Sequence, residues 1–551
     1  MSITLDSGIV TISDHFCGAG GSSSGAVHAG TEVKYASNHW NRALETHETN
    51  HPKTKHILAD LMHVHPSDFP RTTGAWFSPE CPWQSNASGR SAQNRGQQKQ
   101  IDMFDDKEPN PSGVRSRATM FCVTRFSEYH NYEFVIVENV IEATNWILFD
   151  NWLQGMDILG YNHEIHCLNA MFFHSINRLT GFAPQSRDRL YIVFWKKGNR
   201  KPDLDFRPWA WCDGCGKYVQ AVQVWKNPKR RHVGKYGYYK KPGASYYYGC
   251  PTCVVKDDKR IVHRPVEPLY FSAWNAIDWS IPAPKISDRK QPLVENTLRR
   301  IRIGYEKYGR QPLIVPMGYT QATNRHGKPL MIRPLPTIVG KNSAGLCLPP
   351  SFIVRVMGDR DAVPMHGPIP TIMGRGNQTY IALPSTPFIT EYWKYSSGRG
   401  VDEVLGTITG GGVHHYLTIP NSPYLVQYYG RDNAQTGIEQ PVPTIPGFRP
   451  SNLVVPPSML LQYHSNGEAV PTSEPLSTLT ARDRHAIIEV TDDEIMECGF
   501  RMLVPEENKL GQGFPDDYVI LGNVEEQNKQ IGNAVVPPHA EFLVKACVEA
   551  L

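Results

Sequence analysis

The sequence has no apolar run long enough to cross a membrane, and no basic stretch followed by an apolar segment near Met1. Spanning a bilayer takes about 20 apolar residues, and a secretory signal needs a basic stretch followed by an apolar segment. We therefore expect a cytoplasmic protein without a membrane partner. In that compartment the eleven cysteines are thiols, metal ligands or nucleophiles, because structural disulfides belong to oxidising compartments.

The chain also lacks a strong charge of either sign. Its 57 basic and 53 acidic residues leave a net charge of +4, so any polyanion has to be met by a local basic patch. At 551 residues the chain is long enough for several hydrophobic cores, and we expect roughly two to four domains.

A strand, a glycine-rich loop and a helix open the chain. Residues 9–16 predict the strand, residues 17–25 the loop, and a helix is expected from about Ala26. Glycine lets a backbone approach a ligand, and a helix N-terminus favours a negative group. The spacing is not G-x-G-x-x-G, because Ser23 fills the third place, which favours an adenosyl ligand over a dinucleotide. A tight turn without a ligand is the alternative.

The next strand lacks the acidic residue that usually follows it and accepts hydrogen bonds from a ribose. Instead, residues 33–37 lead into Asn38, His39 and Trp40. Asn38 or His39 is the candidate acceptor, and Trp40 is a candidate for stacking on adenine, although a core tryptophan fits equally well. A short third strand ends at Asp60, whose carboxylate suits a hydrogen bond from an adenine amino group. A solvated acid on a loop is the alternative.

Two strand ends carry candidate chemistry. A short buried strand stops at a proline, and Cys81 follows in a proline-stiffened loop, where a thiolate would be a strong nucleophile. Glu138 ends the apolar run 134–137, and burial would raise its pKa and make it a proton donor. The alternatives are a small buried hydrophobic residue for Cys81 and an ion-paired structural carboxylate for Glu138.

Arg187 and Arg189 precede the predicted strand 190–194 and alternate along the chain. Guanidinium groups there suit a substrate carbonyl, a phosphate, or the carboxylate of Glu138. A surface strand with ion pairs is the alternative.

Near Asp205 the composition changes, and two Cys-x-x-Cys pairs follow about 35 residues apart. This is the pattern of a structural zinc site with four thiolates, which assigns the metal ligands Cys212, Cys215, Cys250 and Cys253. No acidic residue lies between Cys215 and Cys250, where basic residues alternate with tryptophan and tyrosine. That mixture favours nucleic acid, with a solvated basic hairpin as the alternative.

An internal repeat occupies the next part of the chain, after an amphipathic connector helix predicted at 293–308. Its core sequence recurs about every 34–37 residues, at 333–338, 368–372, 405–408, 441–445 and 475–479. Short β segments with glycine and proline turns are the expected unit.

Five motifs taken in order resemble those of the DNA (cytosine-5) methyltransferase family. They are residues 16–21, the loop around Cys81, and residues 138–140, 185–189 and 532–535. The resemblance covers about 1–200 and 490–551. It implies an α/β fold: a mostly parallel, Rossmann-like methyltransferase sheet that binds S-adenosyl-L-methionine (AdoMet), with an inserted zinc-knuckle and β-rich repeat region for target recognition.

The resemblance also implies an activity, the transfer of the AdoMet methyl group to carbon 5 of a cytosine flipped out of duplex DNA. Cys81 would add to carbon 6 of the base while Glu138 assists at ring nitrogen 3. By motif match, Arg189 would hold the cytosine carbonyl, and Arg187 would orient Glu138 or a phosphate. The implied AdoMet site comprises Phe16, Gly18, Gly20, Asn38, Trp40, Asp60, Asn533 and Val535.

Two positions depart from the family pattern: Glu80 replaces the usual proline before the nucleophile, and the ribose-binding acid is absent. They keep one rival open, an inactive zinc-containing DNA-binding homologue. An RNA cytosine-5 methyltransferase, like the tRNA-modifying relatives, is a second rival, and the long insertion argues against it. We expect a monomer of bacterial or phage origin, with a cognate restriction endonuclease as a candidate partner. The expected domains are the core 1–205, a zinc-binding basic insertion 206–265, a helical connector 266–310, the repeats 311–490, and a segment 491–551 that returns to the core.

Overall fold

The structure is a computed structural model. It describes residues 8–79, 118–173, 182–228, 231–257, 260–308, 312–317, 326–329, 333–340, 344–349 and 492–551, together with the backbone of short strands between 352 and 486. Cys81, Lys229, Arg230 and the later copies of the repeat motif lie outside the described residues.

A seven-stranded sheet organises the N-terminal part of the chain, in the order β3-β2-β1-β4-β5-β7-β6. Its strands are β1 Thr11–His15, β2 Glu32–Asn38, β3 Lys55–Leu58, β4 Gly74–Phe77, β5 Phe134–Asn139, β6 Tyr161–Asn169 and β7 Asp188–Lys196. β1 to β5 pair in parallel, and β7 runs antiparallel to both β5 and β6. The predicted mostly parallel sheet is confirmed.

Five helices pack on the two faces of this sheet: α1 Gly21–His28, α2 Asn41–Asn50, α3 Met120–His130, α4 Phe149–Ile158 and α9 Pro537–Glu549. The helices α5 Glu295–Tyr308 and α6 Asp492–Met496 pack in a separate core with residues 313–315. The helices α7 Pro505–Gln512 and α8 Val524–Asn533 pack against residues 335–338. Short 3₁₀ turns lie at Pro66–Asp68, Ile141–Asn145, Ala170–Phe172 and Ala273–Ala276.

β5 shows why the central strands are continuous apolar runs. Val135 and Val137 pack into the core that includes α3 and α4, while Phe134 and Ile136 pack into the core that includes α9. Successive side chains of a strand point to opposite faces, so a strand covered on both faces needs apolar residues throughout.

The glycine loop is shorter than the sequence predicted, because α1 begins at Gly21 rather than near Ala26. Gly20, with φ of 90°, caps the helix in the left-handed conformation that glycine favours. The hydroxyls of Ser22 and Ser23 each donate a 2.6 Å hydrogen bond to Asp14 Oδ2 at the end of β1. Burial raises the pKa of Asp14 to about 6 despite these bonds.

The insertion after the sheet is built from hairpins: β8 Trp209–Cys212, β9 Lys217–Gln220, β10 Val222–Trp225, β11 Tyr246–Asp257 and β12 Arg260–Pro265. β8 pairs with β9, and β11 lies between β10 and β12. The predicted connector helix is α5, Glu295–Tyr308.

The repeat region consists of five units with one strand plan. The first contains β13 Leu313–Pro316, β14 Lys328–Pro329 and β15 Ala344–Leu348, and residues 333–338 lie between the second and third strands. Both outer strands pair antiparallel with the first strand of the unit. The third strand, β15, also pairs with β28 Gly499–Met502, which comes from the C-terminal part of the chain.

The other four units repeat this order, second-first-third. Their strands are β16 Phe352–Arg355, β17 Val363–Pro364 and β18 Thr379–Ala382; β19 Phe388–Glu391, β20 Gly398–Gly400 and β21 His415–Thr418; β22 Tyr424–Gln427, β23 Gln435–Gly437 and β24 Ser451–Val454; and β25 Met459–Gln462, β26 Ala469–Pro471 and β27 His485–Ala486. The expected unit of short β segments is therefore what the backbone shows.

α1 and α9 pack so closely that one glycine is required between them. A Cβ on Gly25 would lie 2.5 Å from the Pro537 oxygen, the Glu541 nitrogen and the Ala540 Cβ. Because two of these are backbone atoms, we expect Gly25→Ala to push the helices apart and to lower the free energy of unfolding by about 2–4 kcal/mol.

Chemical denaturation measures this change, with Gly155→Ala as the matched control. Gly155 lies in α4, and its added Cβ would meet only a Thr124 side-chain carbon at 3.5 Å. We expect this control to be neutral or stabilising by up to about 1 kcal/mol. Equal losses in the two variants would contradict the packing argument.

Candidate active site

One cavity of about 540 Å³ lies at the carboxyl ends of the parallel strands. The reversed strand β7 begins at the same edge, so its first residues face the same space. The cavity is lined by Phe16, Gly18, Asn38, His39, Trp40, Ala43, Ser78, Pro79, Glu138, Asn139, Val140, Arg187, Arg189, Val339, Gly340, Lys529, Gln530, Gly532 and Asn533. Open α/β sheets bind ligands at this edge.

The glycine loop presents backbone to the cavity. Phe16 has φ of 59°, an uncommon conformation for a residue with a side chain, and Gly18 has φ of 52°. A Cβ on Gly18 would meet nothing closer than the Phe16 oxygen at 4.0 Å, so the space above this glycine is open. The loop therefore fits a ligand that lies directly against main-chain atoms.

The end of β2 supplies the ring of Trp40 and the exposed imidazole of His39. Asn38 is buried, its Oδ1 accepts a 2.9 Å hydrogen bond from the Trp40 nitrogen, and its side chain also bonds Cys17. Asn38 is thus committed to holding the loop. His39, the other residue that the sequence offered as an acceptor for a ribose, is exposed and lines the cavity.

Glu138 is buried at the end of β5, and its Oε1 lies 2.9 Å from Arg189 Nε. Burial raises the pKa of Glu138, while Arg189 and Arg187 oppose that rise. Burial therefore favours the neutral form of this carboxyl group more than in an exposed glutamate, and Arg189 fixes its position.

Arg187 is almost fully buried, and it binds main chain rather than Glu138. Its Nη1 donates to the Ile338 oxygen at 2.8 Å, and its Nη2 donates to the Gly532 and Ala534 oxygens at 3.0 and 3.2 Å. It joins the first repeat unit to the C-terminal part of the cavity wall. Its positive charge still opposes the rise in the pKa of Glu138.

Gln185 makes a second connection to the same two regions. Its Oε1 accepts a 2.7 Å hydrogen bond from the Ile338 nitrogen, and its Nε2 donates to Gln512 Oε1 at 2.7 Å. The Thr337 hydroxyl donates to the Ser186 oxygen at 2.8 Å. The first copy of the repeat is therefore docked on the core, next to the cavity wall that Val339 and Gly340 form.

The predicted nucleophile itself lies outside the described residues, but the strand that leads to it can be followed. Ser78 and Pro79, which follow β4, line the cavity, and Asn139 Nδ2 donates to the Pro79 oxygen at 3.4 Å. Cys81 follows Pro79 by two residues in the sequence. The last described residue before Cys81 therefore lies in the cavity wall.

Three of the predicted cofactor residues do not line the cavity. Gly20 lies behind the loop, where a Cβ would be 2.5 Å from the Tyr518 hydroxyl. Asp60 lies beyond the end of β3 and accepts hydrogen bonds from the Met62 nitrogen and from His63. The side chain of Val535 is packed in the core beneath α9. In this structure these residues support the site from outside it.

The four predicted metal ligands come together. Their sulfur atoms all lie within 4.8 Å of one another, with Cys215 Sγ 3.1 Å from Cys253 Sγ and 3.6 Å from Cys250 Sγ. Zn–S bonds of about 2.3 Å place the sulfurs of a tetrahedral site about 3.8 Å apart, so this arrangement suits a four-thiolate metal centre.

The basic and aromatic segment between these cysteines differs from what the sequence predicted. Tyr246, Tyr247 and Tyr248 are buried, and Tyr246 and Tyr248 belong to the core cluster of the main sheet, so these rings are not available to stack on bases. Arg231 pairs with Asp150, and Lys235 pairs with Glu142. Alternating aromatic and basic residues here serve mainly to attach the insertion to the core.

The remaining residues of that segment are placed as follows. Trp225 stacks on His232, Tyr236 packs against the main core, Tyr239 donates a hydrogen bond to Asp257, and the Lys226 ammonium donates to the Lys241 oxygen. Tyr238 is exposed, as is Lys240, so only part of the expected nucleic-acid surface is available in the described residues.

Sequence reasoning missed several cavity residues, among them Val339, Gly340 and Lys529. Val339 and Gly340 follow the first repeat copy, and no local pattern marks them, since only tertiary docking brings them to the sheet. Lys529 lies one helical turn before the predicted Asn533, and its ammonium sits 4.4 Å from the centre of the Trp40 ring. The available signal for Lys529 was its position four residues before Asn533, because residues four apart share one face of a helix.

The strand order with its reversed β7, the glycine loop and the cavity at the strand ends define a Rossmann-like methyltransferase fold. The family model for the C-5 cytosine-specific DNA methylase matches residues 10–210 and 444–549, together more than half of the chain. The chain belongs to this family, whose substrate is DNA and whose methyl donor is AdoMet.

Among curated proteins, DNA (cytosine-5)-methyltransferase 1 of Gallus gallus is 39% identical over 72 residues, which cover 11% of this chain and 5% of that protein. DNA (cytosine-5)-methyltransferase 1B of Oryza sativa subsp. japonica is 43% identical over 51 residues, covering 9% and 3%. The chain thus matches about a twentieth or less of the length of these relatives.

Among solved structures, a putative DNA modification methyltransferase encoded within an E. coli prophage is similar over 98% of this chain and 99% of its own, with 13% identity and a TM-score of 0.39. An Entamoeba histolytica methyltransferase covers 98% of each chain, with 9% identity and a TM-score of 0.39.

None of the helices in the described part of the chain is both long and apolar enough to span a membrane.

The three carbonyl contacts of Arg187 lead to a stability prediction. Arg187→Met keeps much of the length of the side chain but leaves the Ile338, Gly532 and Ala534 oxygens without this donor. Because these hydrogen bonds are buried and the donor is charged, we expect the free energy of unfolding to fall by about 3–5 kcal/mol.

Urea denaturation measures this loss, and Arg200→Met is the control. Arg200 donates to the Glu549 oxygen at an exposed site, so its replacement should cost no more than about 0.5 kcal/mol. If Arg187→Met unfolds at the same urea concentration as the control, the contacts of Arg187 do not hold the two regions together.

Proposed function

We propose that this protein is a DNA (cytosine-5)-methyltransferase that transfers the methyl group of AdoMet to carbon 5 of a cytosine flipped out of duplex DNA. The observation that carries the proposal is the buried Glu138–Arg189 pair, which shares one cavity with the glycine loop and with the strand end that leads to Cys81. A carboxyl group held by a cation, at the sheet edge where the strand before Cys81 ends, suits addition of a thiol to a pyrimidine ring.

Cys81 is the proposed nucleophile. Its thiolate forms a bond to carbon 6 of the cytosine, which pushes electrons toward ring nitrogen 3 and carbon 5. The base has to leave the stack first, because its ring carbons are not reachable inside a duplex. The position of Ser78 and Pro79 in the cavity wall supports this role, because Cys81 follows Pro79 by two residues in the sequence.

Glu138 is the proposed proton donor to ring nitrogen 3. Its raised pKa increases the protonated fraction, and a hydrogen bond there disperses the charge that Cys81 introduces. Arg189 holds Glu138 and offers donors toward the carbonyl of the base. Loss of the proton on carbon 5 and departure of the Cys81 sulfur then restore the aromatic ring.

The cofactor site is proposed at Phe16, Gly18, Trp40 and Asn533, all of which line the cavity. AdoMet, when bound there, supplies an electrophilic methyl group. The exposed main chain at Gly18 admits the ligand closely, and the Trp40 ring offers a surface for adenine. Gly20, Asp60 and Val535 support this site indirectly, and Asn38 holds the loop.

The remaining regions are proposed to serve target recognition. The zinc-binding insertion 206–265 and the connector 266–310 attach the repeats 311–490 to the core 1–205, and the segment 491–551 completes the core. Support comes from the docking of the first repeat on Gln185 and Ser186. Duplex DNA is the proposed partner of the repeats.

Trapping of the covalent adduct tests the enzyme proposal. A duplex with 5-fluorocytosine at target sites lacks the proton that must leave carbon 5, so the Cys81 adduct should persist in denaturing gels when AdoMet is present. We expect wild-type protein to form this adduct and to label ordinary duplex DNA with tritiated methyl groups, and Cys81→Ala to do neither.

Two further variants sharpen the test. Glu138→Gln cannot donate a titratable proton and should lower the methylation rate by about 10²–10⁴-fold. Cys547→Ala, in the core beneath α9, should retain activity. Labelling of transfer RNA in place of duplex DNA would favour the RNA enzyme, and absence of labelling on any duplex would favour the inactive homologue.

Zinc is proposed at the four clustered cysteines. Elemental analysis of purified protein should find about one zinc per chain, and Cys212→Ser or Cys253→Ser should lower that content because each removes a thiolate ligand. Cys167→Ser, a buried thiol outside the cluster, is the control. Unchanged zinc in the two ligand variants would refute the site.

A further inference from the structure

A chain of polar side chains lies behind the glycine loop. The hydroxyls of Ser22 and Ser23 lie 2.6 Å from Asp14 Oδ2, and Ser23 Oγ also lies 2.9 Å from His47 Nε2. The other ring nitrogen of His47, Nδ1, lies 2.8 Å from His56 Nε2. None of these five residues lines the cavity, and no step of the proposed reaction uses them.

The chain runs from the interior toward the surface of the protein. Asp14, Ser23 and His47 are almost fully buried, whereas His56, in β3, is half-buried. Burying a carboxylate is costly unless hydrogen bonds compensate for the loss of water. Burial accordingly raises the pKa of Asp14, and its hydrogen bonds with Ser22 and Ser23 oppose that rise. The charge of Asp14 therefore depends on these bonds.

The number of hydrogens on each group fixes the direction of each bond while Asp14 is ionised. Ser23 has one hydroxyl hydrogen, and its 2.6 Å bond to Asp14 has the length that hydroxyls form with carboxylates. Since that hydrogen goes to Asp14, His47 Nε2 has to donate to Ser23 Oγ. The second nitrogen of a neutral imidazole is an acceptor, so His47 Nδ1 accepts from His56 Nε2.

His47 also supports the glycine loop directly. A Cβ on Gly20 would lie 3.1 Å from His47 Cδ2, so the imidazole ring packs against the back of the loop. The hydrogen bonds of Asp14 join β1 to the first turn of α1, and these are the two elements that flank the loop. The chain thus holds the loop at both of its ends and from behind.

We propose that His47 is a positioning residue of the cofactor site, which holds the glycine loop through Ser23 and Asp14, and that the loop is released when Asp14 takes up a proton. This inference rests on the proposed function, in which the loop receives AdoMet. A proton taken up by His56 at Nδ1 lets its Nε2 proton pass to His47 Nδ1. The Nε2 proton of His47 then passes to Ser23 Oγ, and the hydroxyl proton of Ser23 passes to Asp14 Oδ2. Only Asp14 changes its charge.

A neutral Asp14 holds the loop less firmly. Hydrogen bonds from the Ser22 and Ser23 hydroxyls to a carboxylate are about twice as strong as those to a neutral group. The N-terminus of α1 also loses a negative charge that stabilises it. Because the pKa of Asp14 is raised to about 6, the ionised form that holds the loop predominates above this pH and is lost as the pH falls through it. Cofactor binding should therefore weaken on acidification.

Other titratable groups act on this chain from the loop, α1, α2 and the C-terminal segment. They are Cys17, His28, Glu48, His51 and Tyr518. Burial lowers the pKa of all four histidines of the cluster and raises the pKa of the cysteine and the tyrosine, which favours their neutral forms. Asp14 is therefore the buried group of this cluster that loses its charge as the pH falls through about 6.

Titration calorimetry with AdoMet at about pH 7.5 tests the chain. His47→Leu and Ser23→Ala break it at two different links, and we expect each to raise the Kd by about three- to tenfold, the effect of one buried hydrogen bond. Because both substitutions break the same chain, the double variant should raise the Kd no further. His47→Gln keeps a donor toward Ser23 and should bind AdoMet like wild type.

The pH dependence of the Kd separates this role from packing alone. Between about pH 7.5 and 5.5 we expect the wild-type Kd to rise by about three- to tenfold. Asp14→Asn is neutral at every pH, so its Kd should be high at pH 7.5 and should change less. Ionisation of AdoMet itself is common to all of the proteins and cancels in the comparison. His163→Gln, in β6 at the opposite edge of the sheet from β3, is the control and should follow wild type.

The two experiments can each contradict the inference. Additive losses in His47→Leu and Ser23→Ala, or a wild-type Kd in either, would overturn it, and so would a wild-type pH profile in Asp14→Asn. The His47 and Ser23 variants decide the matter even where Asp14→Asn does not fold. Wild-type protein that binds no AdoMet at any pH would instead overturn the proposed function.

Discussion

The hydrogen bonds around residues 184–189 hold together parts of the chain that are far apart in sequence. Arg187 binds the carbonyls of Ile338, Gly532 and Ala534, and Gln185 bonds both Ile338 and Gln512. Asp188, between the two arginines, accepts a hydrogen bond from the Tyr236 nitrogen of the zinc-binding insertion. One short segment therefore fixes the first repeat unit, the insertion and the C-terminal helices relative to the sheet.

This arrangement explains why Arg187 and Arg189 have different partners. Both arginines line the cavity, but Arg187, just before β7, also lies under the chain segments that cross the sheet edge. Arg189 accordingly meets Glu138, and Arg187 meets carbonyl groups. Burying a guanidinium group is costly unless its donors are used, and three carbonyls from two segments bind the Nη1 and Nη2 atoms of Arg187.

Much of this organisation could be predicted from the sequence, because strand ends in a parallel sheet converge. Phe16, Trp40 and Glu138 each follow a strand with a clear apolar pattern, and the cysteine spacing predicted the four-sulfur cluster. The burial of Tyr246 to Tyr248 could not be predicted, because a basic, aromatic stretch fits solvent or a core equally well. Val339, Gly340 and Lys529 depend on docking between distant segments, which local periodicity does not record.

The pairing of β15 with β28 has a consequence for how this protein changes over evolutionary time. Gly345 and Met502 are neighbours in one sheet, so the long chain segment between them begins and ends at a fixed pair of adjacent strands. Closing a longer loop between anchored ends costs little extra entropy. Repeat units can therefore be gained, lost or exchanged within that segment while the seven-stranded sheet keeps its geometry.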